Sequence, residues 1–331
     1  MERILTYDMR APAFGAPAGE LWAAALDQVT WADDLGFDLV GLGEHHASED
    51  GYDPSPLILA SAMAGRTRRI RLRTSVLLVP FYDPIKLAED TAVLQIISGG
   101  RLILGIGGGY RPAEFEMFGR DLADRWRAVG DACRLLRLAW SGEPFEWEGR
   151  RCHVTPRPDP PPPIVIGGST ARSARRAARI ADGWLPPLDP RLWDPYREAC
   201  VELGKPDPGA YPSQGPIFLW VTKDPDRAWP RLMPHILHQI RVYGQWTREA
   251  FGKAAGPYAG EPDEEAVRRN PAYRVLTPED TIEMAERLGP DGQLYLNPLL
   301  AGIDPDHARE MLDLYEREVH AYLPHRKESD G

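Results

Sequence analysis

Cysteine is scarce in this chain. There are three in 331 residues, Cys133, Cys152 and Cys200, and no CxxC pair. Odd in number and far apart, they exclude a disulfide scaffold and a zinc ribbon, and they fit a reducing cytosol. Positive charge is also in deficit, with a formal net charge of −10. Nucleic acid and anionic membrane both demand a basic footprint, so neither is an expected partner. No uninterrupted apolar run approaches the roughly 20 residues of a membrane span. The opening Met1-Glu2-Arg3-Ile4-Leu5 leads straight into a strand-like run and carries no signal-peptide pattern. These absences leave a cytoplasmic, metal-free protein as the expectation. What is present suits a large core: 43% of residues are hydrophobic and 27% charged, ordinary values for a globular chain.

Short apolar runs alternate with longer amphipathic stretches. Strands are expected at 3–8, 37–42, 69–79, 101–106, 164–166, 184–185, 217–222 and 293–297, with helices between them. Helix punctuation is clear in places: Asp53 and Pro54 read as N-cap and first helical residue, and Gly36 as a stop. Six prolines in the eight positions 156–163 read as a stiff surface linker. Strand–helix–strand alternation implies parallel pairing with right-handed crossovers. Eight such units in a chain of this length predict a (β/α)8 TIM barrel, α/β in class, as one domain over 1–325 followed by a polar tail, 326–331. Residues 226–290 are in excess of a minimal barrel. They read as an insertion after strand seven, with a helix around Trp229–Trp246.

In a barrel, function gathers where strands end and the following loops begin. Strand two ends in Gly43-Glu44-His45-His46. Imidazole titrates near neutral pH and can act as base, acid or donor. Adjacent residues on an extended chain point to opposite sides, so one of the two histidines should face the site. A metal site is a poorer reading, since zinc pairs on helices favour i, i+4 spacing. Strand three ends in the apolar Thr74-Ser75-Val76-Leu77, which suits a wall against a flat ligand as well as it suits plain core. Strand four ends in Gly107-Gly108-Gly109-Tyr110-Arg111. Glycines there permit close backbone approach to a ligand, but the spacing misses the dinucleotide fingerprint. After strand five, Gly167-Gly168-Ser169 enters a helix with Ser169 as candidate N-cap, where free N–H groups and the helix dipole favour a phosphate. Arg172 follows, and Arg175, Arg176 and Arg179 read as a solvated face.

Taken together, LGFDLVGLGEHH (35–46), TSVLLVPFYDP (74–84), LAEDTAVLQIISGGRLILGIGGG (87–109), EFEMFG (114–119) and GGSTARSARRAARIADGW (167–184) resemble the bacterial luciferase-like family of flavin-dependent monooxygenases and oxidoreductases. The resemblance implies a TIM barrel holding a flavin at the C-terminal ends of its strands. It implies a ring near Ser75 and Val76, often with a non-prolyl cis peptide there. Phosphate contacts carry over to Gly168 and Ser169, with Gly167 shaping the turn. His45 corresponds to the catalytic histidine of the luciferase branch, and Glu44 is expected to tune it. Beside Gly107, a flavin-contacting arginine of the luciferase α subunit is replaced by Gly108, leaving anchoring to the backbone, Arg172 or Arg111. Two cofactors serve this family. Reduced FMN, supplied by a separate reductase, reacts with O2 to give a C4a-hydroperoxide; the deazaflavin F420 exchanges hydride. Glu-His-His resembles the FMN branch more. The expected activity is therefore an FMN-dependent monooxygenase acting on a small organic substrate. F420-dependent hydride transfer and flavin binding without turnover are the alternatives. Trp184, Tyr110 and Trp220 could line the substrate site or be ordinary core, and a homodimer is expected from the resemblance.

Overall fold

A computed structural model describes residues 1–254, 256–259 and 263–323; the expected tail, 326–331, lies outside the described residues. The strands, in chain order, are β1 (Glu2–Tyr7), β2 (Leu39–Leu42), β3 (Arg71–Thr74), β4 (Leu77–Leu78), β5 (Leu102–Gly107), β6 (Phe145–Trp147), β7 (Arg150–Cys152), β8 (Ile164–Ile166), β9 (Gly183–Trp184), β10 (Phe218–Val221), β11 (Tyr273–Leu276) and β12 (Gln293–Leu296). The chain forms two compact units. One holds Met1–Gly41, Ser48–Asp53 and the described residues from Pro212 onward; the other holds Leu42–Ala47 and Pro54–Tyr211. No described helix is long and apolar enough to cross a membrane.

In the first unit β1 runs parallel to β12, from Glu2 opposite Gln293 to Leu5 opposite Leu296. A second parallel pair sets β10 against β11, from Phe218 opposite Tyr273 to Val221 opposite Leu276. The helix Ala18–Leu35 buries Leu21, Ala25, Val29 and Ala32 at helical spacing. It stops at Gly36, whose φ of 78° is a left-handed cap conformation natural to glycine. The helix expected around Trp229–Trp246 extends over Pro225–Phe251, capped by the Asp224 side chain on the Arg227 amide. The stretch expected as an insertion also contributes β11 and the helix Pro278–Leu288 to this unit.

The second unit lines up β3, β5, β8 and β9 in parallel, and β4 pairs with β5 beyond β3. Helices Pro56–Arg66, Pro84–Ile97, Arg125–Ala139, Ala171–Ile180 and Trp193–Glu202 belong to the same unit. Leu104, Ile106, Ile164 and Ile166 from the strands meet Leu135, Leu136, Ala174 and Ala177 from the helices in one core. The single strand expected over 69–79 is broken in two. The interruption falls at Ser75–Val76, where the peptide bond is cis, as the resemblance implied. The first helix of the unit begins at Pro56 rather than Pro54, and Asp53 is fully buried. The hairpin β6–β7 and the helix Trp193–Glu202 were not expected.

Candidate active site

All the residues singled out after strands two to five lie in the second unit. The chain leaving β2 carries Glu44, His45 and His46, each below one-tenth exposed. The two histidines take different partners. His46 Nε2 lies 2.8 Å from Glu44 Oε1. Glu44 also accepts from the Leu78 amide at 2.6 Å and from the Tyr82 hydroxyl at 2.8 Å. Burial raises the Glu44 pKa, against the opposing hydrogen bonds from His46, Leu78 and Tyr82. Glu44 is thus hydrogen-bonded to the second histidine of the pair. Glu44 holds His46, the Leu78 amide of β4 and the Tyr82 hydroxyl, as alternate residues such as 44 and 46 can share one side of the chain.

The carboxylate on His45 comes from elsewhere. His45 Nδ1 lies 2.8 Å from Oε1 of Glu114, a fully buried residue of the short helix Pro112–Met117. The same oxygen accepts the His46 amide at 3.0 Å. Arg111, also buried, donates to the carbonyls of His46 at 2.5 Å and Ala47 at 3.3 Å. Tyr110 stands edge-on to the His45 ring, centroids 5.7 Å apart. Arg111, considered above as a cofactor anchor, holds this turn. Burial would raise the Glu114 pKa, but the hydrogen bond and charge of His45, the His46 amide and the Arg111 charge together hold it below the usual carboxylate range.

Ser75 is exposed and Val76 half-buried at the break between β3 and β4. The Ser75 amide donates to the Leu42 carbonyl at 2.6 Å, tying this break to the end of β2. The Val76 side chain fills the space over two of the expected glycines. A Cβ on Gly107 would lie 2.5 Å from Val76 Cγ2, and one on Gly167 2.6 Å from Val76 Cγ1. Gly108 faces the start of the helix Arg125–Ala139: its added Cβ would stand 3.3 Å from the Trp126 ring and 3.4 Å from Arg125 Cγ.

The turn Gly167-Gly168-Ser169 leads into Ala171–Ile180 as expected, with one correction. The N-cap is Thr170, not Ser169; Thr170 and Ser173 form a reciprocal capping box. Gly168 sits under Ser173, where a Cβ would approach the hydroxyl to 2.5 Å. Ser169 and Arg172 are exposed. Arg176, read from sequence as solvated, lies over the Trp126 ring at 4.2 Å, and Arg125 flanks the same ring at 5.5 Å. Burial and then the like charges of Arg172, Arg179 and Arg125 push the Arg176 pKa down. A cluster of cations that repel one another beside a helix N-terminus is a setting that a bound dianion would relieve. Trp184 is buried against Trp193, their rings stacked 6.1 Å apart. Trp220 belongs to the first unit, fully buried beside Phe218 and His307.

The profile of the family described as Luciferase-like monooxygenase matches residues 7–319. The chain belongs to that family. The 4-hydroxyprotoasukamycin monooxygenase of Streptomyces nodosus subsp. asukaensis is 31% identical over 170 residues, 49% of this chain and 46% of that protein. An F420-dependent glucose-6-phosphate dehydrogenase of Amycolatopsis mediterranei is 30% identical over 166 residues, 46% of this chain and 50% of that one. The match thus spans about half the length of these curated relatives. Among solved structures, the oxygenating constituent of 3,6-diketocamphane monooxygenase from the CAM plasmid of Pseudomonas putida, in complex with FMN, superposes with a TM-score of 0.73. It is 22% identical, with 98% of this chain and 100% of that chain covered. The luciferase-like chain shares that fold, in the TIM-barrel class its β–α alternation predicted.

Proposed function

We propose that this luciferase-like chain is a flavin-dependent monooxygenase, using reduced FMN and O2 to oxidise a small organic substrate. The observation that carries the reading is the crowding of Arg125, Arg172 and Arg176, whose mutual repulsion a phosphate would relieve. The residues present fit the phosphate tail of such a cofactor. Gly168 and Ser169 would offer backbone amides and the arginines would offer charge. Ser75 and Val76, with Gly107, Gly108 and Gly167 behind them, would support the ring. The bound cofactor supplies the redox chemistry. His45 holds or releases a proton at its ring as that chemistry proceeds. A separate flavin reductase, a cytoplasmic location and a homodimer belong to the same reading.

F420-dependent hydride transfer is the second reading, favoured by the similarity to a relative named for that cofactor. Transfer of oxygen separates the two. The protein should place an O2-derived oxygen atom in a substrate with reduced FMN, and should not do so with reduced F420. Hydride exchange with F420 and no oxygen transfer with FMN would reverse the choice. His45→Ala should cut turnover by about 10²–10⁴ while keeping cofactor affinity. Intact turnover in that variant would remove His45 from the chemistry and favour binding without turnover.

A further inference from the structure

We propose that Glu114 is the positioning residue of His45: it fixes the proton on Nδ1 and presents Nε2 as the nitrogen that exchanges protons. The inference rests on the reading of His45 given above and goes beyond it by naming what orients the ring.

The geometry supports it at three points. First, Glu114 Oε1 stands 2.8 Å from His45 Nδ1, and the Glu114 side chain is fully buried. An acceptor-only carboxylate at that distance keeps the hydrogen on Nδ1, so the ring's basic lone pair is at Nε2. Second, the same helix pins the backbone that carries the ring. Glu114 accepts the His46 amide at 3.0 Å, and Arg111 donates to the His46 and Ala47 carbonyls at 2.5 and 3.3 Å. Ala47 has a φ of 48°, left-handed for a non-glycine residue, and persists there because its neighbours fix it. Third, Glu44, the carboxylate nearest in sequence, is committed to His46, Leu78 and Tyr82. Among the described residues, Arg111, at 3.4 Å from Glu114, and Tyr110, edge-on to His45, face the pair.

The proton step follows. A proton leaves an O–H or N–H group of the bound partner, whose electron pair stays behind, and joins Nε2. The resulting imidazolium keeps its Nδ1 proton and is stabilised by the Glu114 carboxylate. The proton returns from Nε2 later in the cycle, restoring the neutral ring with no net charge gained.

Nitrogen-15 NMR of the histidine rings in the 331-residue chain tests this without any cofactor. There are eight histidines, and loss of one signal set in His45→Gln identifies the ring of interest. In the unaltered protein that ring should show a protonated Nδ1 and should titrate at least about one unit higher than in Glu114→Gln. Glu114→Asp, which keeps the charge on a shorter arm, should recover part of the shift and also serves if the Gln variant fails to fold. The pH profile of turnover should move with the NMR midpoint. An unchanged His45 tautomer and midpoint in Glu114→Gln would overturn the proposal. If the NMR shift appears but His45→Ala still turns over normally, the Glu114 pairing stands and the acid–base reading of His45 fails.

Discussion

Val76 and the glycines around it show how one side chain organises the floor of the candidate site. Its two methyl groups occupy the places where Cβ atoms of Gly107 and Gly167 would be. Gly167→Ala should therefore force a repacking and destabilise the protein by about 1–3 kcal/mol in urea unfolding. Val76→Ala in the same chain should recover part of that loss, because it vacates the space in dispute. The glycines were legible in the sequence as places of close approach; the occupant was not, because a missing Cβ does not say which atom takes its room. The same limit hid Glu114. His45 stood out as titratable at a strand end, but its partner lies 69 positions away, and only folding brings them together. Glu114 was visible inside the EFEMFG motif without a role. The i, i+3 spacing of Arg111 and Glu114 was the sign available in the sequence.

Helix ends carry the next level of detail. Thr170 and Ser173 cap Ala171–Ile180 reciprocally, so Thr170→Ala should cost about 0.5–2 kcal/mol of stability, while Ser169→Ala should cost far less. A thermal melt of the two variants side by side measures the difference, and equal losses would restore Ser169 as the cap. Long apolar runs gave the main strands to within a residue or two. Elements without such runs escaped notice. β11, Tyr-Arg-Val-Leu, has an arginine inside it and earns its place by pairing with β10. The hairpin β6–β7 leaves half its residues exposed, so no buried face marks it. The run 69–79 read as one strand because its hydrophobicity is continuous; the break at Ser75–Val76 lies in backbone geometry, which hydrophobicity does not encode.

At the scale of the whole molecule, pH dependence should reach beyond the candidate site. Asp8, buried in the first unit, has its pKa raised to about 6, with burial as the main cause, partly offset by the Arg10 charge and by the Arg10 and Ala301 amides. The folded state then binds this proton more tightly than the unfolded chain, whose ordinary value is 3.8. Stability attached to Asp8 is greatest below the ordinary value and declines as pH rises from about 4 to about 6. Asp8→Asn should flatten that decline, an effect on the order of 2 kcal/mol, in unfolding curves measured at pH 4.5 and 7. A steeper decline in the variant would contradict the assignment. The family and fold were legible at this scale, because the order and spacing of modest motifs survive where each alone is ambiguous. The division into two compact units was not, since β–α alternation runs through both without a compositional break.

The Gly167-Gly168-Ser169 turn and the arginines near it are proposed to hold a phosphate. Measuring the affinity of one preparation for FMN and riboflavin, and for F420 and its phosphate-free deazaflavin core, tests it directly. The phosphorylated member of whichever pair binds should be favoured by at least about tenfold, each charge-assisted hydrogen bond contributing on that scale. That preference should collapse in Arg176→Ala and in Gly168→Asp. Equal affinity for the forms with and without phosphate would contradict the account.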